Sequence, residues 1–365
     1  MPGARVPELA IVVPTLNERD NVDPLLSLVG AALGDVRWEV IFVDDDSRDG
    51  TPEHIRALAL GDSRVRCLQR IGRRGLSTAC IEGALASAAP FIAVMDADLQ
   101  HDERLLPAML ETLRQEPYDL VVGSRYVEGG GVGTWDRSRV GMSNLATRIS
   151  RFVCQSDIAD PMSGFFMMRR GFFERAMRNL SGQGFKILLD LLASSPGPVR
   201  LKELPYEFRQ RRHGDSKLDS LVAWEFGMLI ADKLVGHLVP VRFALFALIG
   251  ALGLGVHLAV LRLSLTLFAL QFTASQAVAT VAAMTFNFFL NNFFTYRDQR
   301  LRGGKLLRGL LSFYVVCSVG AIGNVGIASY VFNYDQTWWL AGIAGAIVGS
   351  VWNYAVSSVF TWKRR

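Results

Sequence analysis

Phe91-Ile92-Ala93-Val94-Met95-Asp96-Ala97-Asp98-Leu99-Gln100-His101 is a short apolar run that stops abruptly in carboxylates. Five apolar residues, bounded by Pro90 and a polar cluster, read as a strand buried on both faces. Working outward, the flanking stretches Leu76–Ala86 and Leu105–Arg114 place apolar residues three and four apart, the helical period. The same alternation fills the first part of the chain. Candidate strands are Leu9–Val13, Glu39–Val43, Val65–Leu68 and Leu120–Val122, and further helical patterns cover Val22–Leu33 and Pro52–Leu60. Strands alternating with helices predict an α/β, mostly parallel, Rossmann-like sheet covered on both faces.

Such sheets bind ligands beyond the carboxyl ends of their strands. Pro14-Thr15-Leu16-Asn17-Glu18 follows the first strand, Asp44-Asp45-Asp46-Ser47 the second, Asp96 to His101 the fourth, and Gly123-Ser124-Arg125 the fifth. One acidic loop by itself is usually a solvated turn or a helix cap. Several polar rims on one sheet edge make that reading much weaker.

Clustered carboxylates repel unless a cation neutralises them. Asp98 and Gln100 offer hard oxygen donors, which suit Mg²⁺ or Mn²⁺ rather than zinc. Such ions keep few protein ligands and complete their shell with phosphate and water. No Walker A loop is present, so a Gly-rich phosphate cradle is not expected. The pattern fits displacement of a nucleoside diphosphate from a sugar. His101 reads equally well as an outer-shell group or a structural residue.

The chain has 365 residues, of which half are hydrophobic. Charge divides it. Pro240–Arg365 carries ten Lys/Arg against two Asp/Glu, while the preceding 239 residues carry 29 against 32. The basic residues of the tail flank apolar runs, which is a membrane-surface pattern rather than a nucleic-acid one. Four cysteines (Cys67, Cys80, Cys154, Cys317) lack CxxC or Cys/His spacing, so neither a disulfide frame nor a zinc site is expected. The N-terminus lacks a signal-peptide layout, which predicts a cytosolic front domain.

The rim motifs, together with Gly214-Asp215-Ser216-Lys217, resemble the dolichol-phosphate mannose synthase family in content and order over about residues 8–225. That family comprises inverting glycosyltransferases of GT-A fold that move a sugar from a nucleotide donor to a polyprenyl monophosphate. The resemblance implies donor contacts at Glu18 and Asp45, with Pro14, Leu16 and Val43 around the base and ribose. Leu16 stands where the family commonly has an aromatic residue. It implies a nucleotide or sugar contact at Asp96 beside Ala97, and metal ligation by Asp98 and Gln100. Arg125, Lys186, Arg211 and Lys217 become the cations around the two phosphate groups, and Asp96, Asp98, Arg125, Arg211 and Lys217 the catalytic set. Arg139 and Ser143 become the acceptor-phosphate pair, four residues apart on one helix face. Asp160-Pro161-Met162-Ser163-Gly164 matches a family loop at the rim of the sugar pocket. The implied donor is GDP-mannose and the implied acceptor a dolichyl or polyprenyl phosphate.

The expected domains are 1–215, catalytic; 216–239, an amphipathic interface helix or linker; and 240–365, an all-α membrane domain. Leu218, Leu221, Trp224, Phe226, Leu229 and Ile230 give the linker an apolar face, which suits either a membrane surface or packing on the catalytic domain. Four apolar segments, about 241–263, 275–296, 309–331 and 339–361, can each cross a core of about 30 Å. Arg297, Arg300, Arg302, Lys305 and Arg308 fill the middle connection and Lys363-Arg364-Arg365 ends the chain. The positive-inside rule then places both termini and the catalytic domain in the cytoplasm, on the plasma membrane of a prokaryote. This tail resembles the four-helix GtrA-like domain fused to some polyprenyl-phosphate mannose synthases, partly through the Asn- and aromatic-rich stretch Phe286–Tyr296. The reading admits a homo-oligomer and no nucleic-acid partner.

Competing readings follow from the same residues. A UDP-sugar-dependent polyprenyl-phosphate hexosyltransferase shares nearly every feature. A processive polysaccharide synthase shares the Asp-x-Asp rim but usually adds Gln-x-x-Arg-Trp, which this chain lacks. A lipid-linked-sugar flippase would use the tail. A nonenzymatic membrane scaffold has no need of the rim.

Overall fold

The computed structural model describes residues 6–131, 156–182, 186–209, 227–230, 239–268, 271–335 and 338–362. The chain forms two compact units, Met1–Leu234 and Val235–Arg365.

In the first unit the expected alternation is present. It runs β1 (Leu9–Thr15), α1 (Arg19–Leu33), β2 (Trp38–Asp44), α2 (Thr51–Gly61), β3 (Val65–Gln69), α3 (Leu76–Leu85), β4 (Phe91–Val94), α4 (Leu106–Gln115) and β5 (Leu120–Ser124). After it come β6 (Phe166–Arg169), α5 (Arg170–Ala176), α6 (Ile187–Ser194) and β7 (Leu201–Pro205). The seven strands lie in the order β3-β2-β1-β4-β6-β5-β7. β6 is antiparallel to both of its neighbours; the other pairings are parallel.

The strand period of two divides the core into two layers. Leu9, Ile11 and Val13 of β1 join Val22, Leu25 and Leu33 of α1 and Met109 of α4 on one face. Val12, Ile41 and Val43 join α3, α5 and α6 on the other. Gly83 permits the close seat of α3, because a Cβ there would lie 2.9 Å from Val43 Cγ2 and closer still to Val12.

Two strands escape the alternation argument. β6 has only four residues, and β7 is a half-buried edge strand, Leu-Lys-Glu-Leu-Pro. Both matter to the rim. Because β6 is reversed, the segment entering it, Asp160–Phe165, lies at the same sheet edge as the carboxyl ends of β1, β2, β4 and β5. β7 brings Tyr206, Phe208 and Arg209 to that edge. Of the 216–239 linker, residues 227–230 are helical, and Leu229 and Ile230 are buried in the second core layer. This piece packs on the catalytic domain, and the described structure supports that half of the two-way expectation.

The second unit contains α7 (Val241–Thr266), α8 (Phe272–Leu290), α9 (Gly304–Asp335) and α10 (Trp338–Phe360). A π-helical turn, Asn291–Thr295, extends α8. Among the described residues three spans are long and apolar enough to cross a membrane: Val241–Thr266, Ala277–Thr295 and Gly304–Gly323. The fourth helix contributes a shorter apolar piece, Ile347–Phe360.

Candidate active site

The rim loops are held by short polar clips. Asp44, fully buried, accepts hydrogen bonds from Thr15 Oγ1 (3.1 Å), Ser47 N (2.9 Å) and Ser47 Oγ (2.5 Å). Asn17 N donates to Ser47 Oγ and Asn17 Oδ1 accepts from Arg48 N, tying the β1 loop to the β2 loop. Asn17, Asp46 and Leu99 adopt left-handed backbone, at φ 57°, 63° and 62°. One therefore sits in each of the three acidic loops. Asn and Asp tolerate this region; Leu does not, so Leu99 carries local strain of about 1–3 kcal/mol. Leu99 is buried in the first core layer, which holds it there.

The residues expected to contact the donor nucleotide lie together at the carboxyl ends of β1 and β2. Pro14 pairs with Val43 across the two strands, and Leu16 and Glu18 follow, half-buried. Val43 itself is fully buried beneath α3. Asp45 accepts from Arg70 Nε and from Gly75 N, both at 2.7 Å. Burial pushes its carboxyl above the ordinary range, against the downward pull of Gly75 N–H and Arg70. Arg70 is buried, and also donates to Thr78 Oγ1, Glu82 and the Gly75 carbonyl. Arg70 was not among the residues expected from sequence. Its position at the carboxyl end of β3, on the same edge, is the signal that marks it.

The β4 loop presents Asp96, Asp98 and Gln100. Asp96 N donates to His101 Nδ1 at 3.1 Å, which leaves the imidazole proton on Nε2. His101 is buried against Phe165, Tyr206 and Phe208, stacked on Phe165 at 5.1 Å. Burial lowers its pKa to about 4, so the ring is neutral at physiological pH. This favours the structural reading of His101. Gly164 lies against Asp96, where a Cβ would meet Asp96 Oδ2 at 2.9 Å.

Asp98 is 6% exposed, and one of its oxygens accepts from Gln100 N at 3.2 Å. Gln100 Nε2 donates to the Arg209 carbonyl at 2.9 Å, and Arg209 N donates to the Gln100 carbonyl at 3.0 Å. The Arg209 guanidinium meets Asp102 and Glu103, each at 2.7 Å. Arg209, too, was absent from the expected set. Among the described residues no three His, Cys, Asp or Glu side chains gather as a metal site. An ion of the Mg²⁺ type does not require such a group. The Asp98 carboxylate and the Gln100 amide oxygen, whose nitrogen is committed to Arg209, are a hard donor pair that fits it.

Arg125 lies across the loop from β6. Its Nε and Nη2 bind the two oxygens of Asp160, each at 2.8 Å. Glu203 of β7 accepts from the backbone N–H groups of Ala159 and Asp160 and fixes that loop. Burial opposes the Arg125 charge, but the bidentate Asp160 pair outweighs it and raises the pKa. Much of the charge assigned to phosphate from sequence is thus met by Asp160. Lys186 Nζ donates to the Met162 carbonyl at 3.4 Å, at the same rim loop. Arg139, Ser143, Arg211 and Lys217 lie outside the described residues.

Residues 10–176 match Glycosyl transferase family 2, and residues 245–362 match the GtrA/DPMS transmembrane domain. The fold and the acidic rim are those of a glycosyltransferase, joined to a membrane domain. A dolichol-phosphate mannosyltransferase of Pyrococcus furiosus is 30% identical over 361 residues, 97% of this chain and 99% of that one. The Saccharomyces cerevisiae enzyme of the same name is 36% identical over 228 residues, 60% of this chain and 84% of its own. The chain belongs to the dolichol-phosphate mannosyltransferase family. Glucosyl-3-phosphoglycerate synthase from Mycobacterium tuberculosis is a more distant likeness: 20% identity, TM-score 0.45, covering 63% of this chain and 79% of that one.

Proposed function

We propose that this enzyme transfers mannose from GDP-mannose to a dolichyl or polyprenyl monophosphate, with inversion and with Mg²⁺ or Mn²⁺. The observation that carries the reading is 30% identity to a dolichol-phosphate mannosyltransferase along nearly the whole chain, membrane domain included. The rim supplies chemistry of the right kind.

Asp98 and Gln100 would hold the ion; when bound, it would offset charge growing on the leaving diphosphate. Glu18 and Asp45 contact the nucleotide, with Pro14 and Leu16 around it and the buried Val43 backing that wall from beneath α3. Asp96 and Ala97 border the sugar. Lys186 and Arg125 stand at the rim, and Arg211 and Lys217 complete the cationic surround. Arg139 and Ser143 receive the acceptor phosphate.

A phosphate monoester has its second pKa near ~6, so it arrives already anionic. It needs no strong base, which agrees with a neutral, buried His101. The enzyme's task is to hold two anionic groups in line, the acceptor oxygen on the sugar face opposite the diphosphate. One displacement there converts an α-linked donor sugar into a β-linked lipid phosphate. The basic connection between α8 and α9 supports a cytoplasmic catalytic domain with both termini on that side.

The test is purified protein with polyprenyl phosphate, Mg²⁺ or Mn²⁺, and GDP-mannose, UDP-glucose or UDP-GlcNAc in separate reactions. Transfer from GDP-mannose alone is expected. Transfer only from a UDP-sugar would replace the donor assignment, and activity without lipid would remove the acceptor.

A further inference from the structure

Two stretches of the membrane domain, 66 residues apart, share one pattern. Asn287-Phe288-Phe289-Leu290-Asn291-Asn292-Phe293-Phe294-Thr295-Tyr296-Arg297 closes the second helix. Asn353-Tyr354-Ala355-Val356-Ser357-Ser358-Val359-Phe360-Thr361-Trp362-Lys363 closes the fourth. Asn, Phe and Thr recur at 287/353, 294/360 and 295/361. Aromatic matches aromatic at 288/354 and 296/362, and cation matches cation at 297/363. The first and third helices match at an offset of 67, Phe246 with Phe313 and Gly253 with Gly320.

The structure uses matched residues alike. α7 packs on α8, and α9 on α10, as two hairpins. A Cβ on Gly253 would overlap the Asn287 amide, and one on Gly320 the Asn353 amide. Asn287 Oδ1 and Asn353 Oδ1 are both buried without an N–H or O–H donor among the described residues. In each hairpin the group facing the amide oxygen is a glycine Cα–H, a weak donor that recurs at helix interfaces.

Between the hairpins the contacts are reciprocal. Phe246 meets Tyr354 at 5.7 Å between ring centroids, and their matched counterparts Phe313 and Phe288 meet at 5.8 Å. Matched residues also meet each other. Phe246 contacts Phe313 at 6.5 Å, and Tyr296 stacks on Trp362 at 4.2 Å with planes 6° apart. Reciprocal contacts arranged around self-matched pairs characterise a twofold interface.

We infer that the membrane domain is one helical hairpin used twice and docked on itself about a local twofold axis, so that the inner face of each hairpin fits a second copy of the same hairpin. Repeat interfaces in transporters often hold the substrate path. Here the axis is filled by Phe246 with Phe313 and, at the end bearing Arg297, by Tyr296 with Trp362, both almost fully buried. Among the described residues the axis is therefore closed, and the domain serves there as an anchor rather than as a lipid path between its halves. The symmetry breaks at Asn292, whose Oδ1 accepts from Trp362 Nε1 at 3.1 Å and Leu301 N at 2.8 Å. In the first hairpin this contact ties the helix end to the connection that leads into α9.

The test uses the full chain in lipid nanodiscs and reads thermal unfolding midpoints. Leucine double-mutant cycles are made for Phe246 with Tyr354 and for Phe288 with Phe313. Both cycles should depart from additivity in the same direction, by shifts that agree within about twofold. Coupling in one and additivity in the other overturns the twofold. Should a leucine variant fail to fold, a second measurement uses the chain with its four native cysteines changed to serine, carrying Tyr296→Cys and Trp362→Cys. A short bismaleimide should link the two within one chain in intact membranes, and absence of the link overturns the axis. The linked protein should keep its sugar-transfer rate. If instead the link abolishes lipid flipping in reconstituted vesicles, the closed-anchor reading is overturned.

Discussion

Gln100 and Arg209 are joined twice: the Gln100 side-chain amide donates to the Arg209 carbonyl at 2.9 Å, and Arg209 N donates to the Gln100 carbonyl at 3.0 Å. The Arg209 guanidinium is itself anchored on Asp102 and Glu103. The segment following β7 thereby sets which way the Gln100 amide oxygen points. Arg209→Ala keeps the backbone bonds but frees the segment that makes them. Outer-shell losses typically weaken metal binding 10–100-fold. We expect Mn²⁺ affinity, read from the free-ion electron paramagnetic resonance signal, to fall by about tenfold, with Arg209→Lys partly restoring it. Unchanged affinity would remove Arg209 from this role.

Asp98→Ala and Gln100→Ala each delete one proposed ligand outright. Both should abolish metal-dependent sugar transfer while leaving the unfolding midpoint near that of the parent. Normal turnover by either purified variant would sink the metal assignment.

The Arg125–Asp160 pair is buried, with side-chain exposures of 9% and 0%. Removing one partner strands a charge. Asp160→Ala should therefore destabilise the protein by about 3–5 kcal/mol in denaturant unfolding. Glu53→Ala breaks an exposed helical pair with Arg56, at 67% and 50% exposure, and should cost less than about 1 kcal/mol. Equal effects from the two would mean that Asp160 does not hold a buried charge.

Gly83 marks the closest approach of α3 to the sheet. Gly83→Ala overpacks that contact and should lose about 1–3 kcal/mol. Adding Val12→Ala removes the methyl groups in the way, so the double variant should recover part of the loss. Additive losses in the double variant would place the strain elsewhere.

Much of the rim was legible in the sequence. The apolar runs at Leu9–Val13, Glu39–Val43 and Phe91–Met95 became β1, β2 and β4, and the carboxylates that stop them became one rim. That inference works because strand direction in βα units is fixed by local order. Arg70 was accessible to the same logic, since it follows β3 on that edge. Arg125 was expected to face phosphate, and its pairing with Asp160 was not foreseen because that partner lies 35 residues on.

By itself, the sequence determined the α/β alternation, the acidic strand ends and the apolar tail, because hydrophobic period and chain order are local properties. It also contained the tandem pattern at Asn287 and Asn353, visible only when the two halves of the tail are laid side by side. Tertiary structure alone decided that β6 runs backward between β4 and β5, bringing Asp160 to Arg125, and that the segment after β7 closes on Gln100. It alone decided that Tyr296 meets Trp362. These are choices among distant partners, and a short strand, a lone arginine or an aromatic ring fits many. Only burying them together, with every charge and backbone group satisfied, selects one.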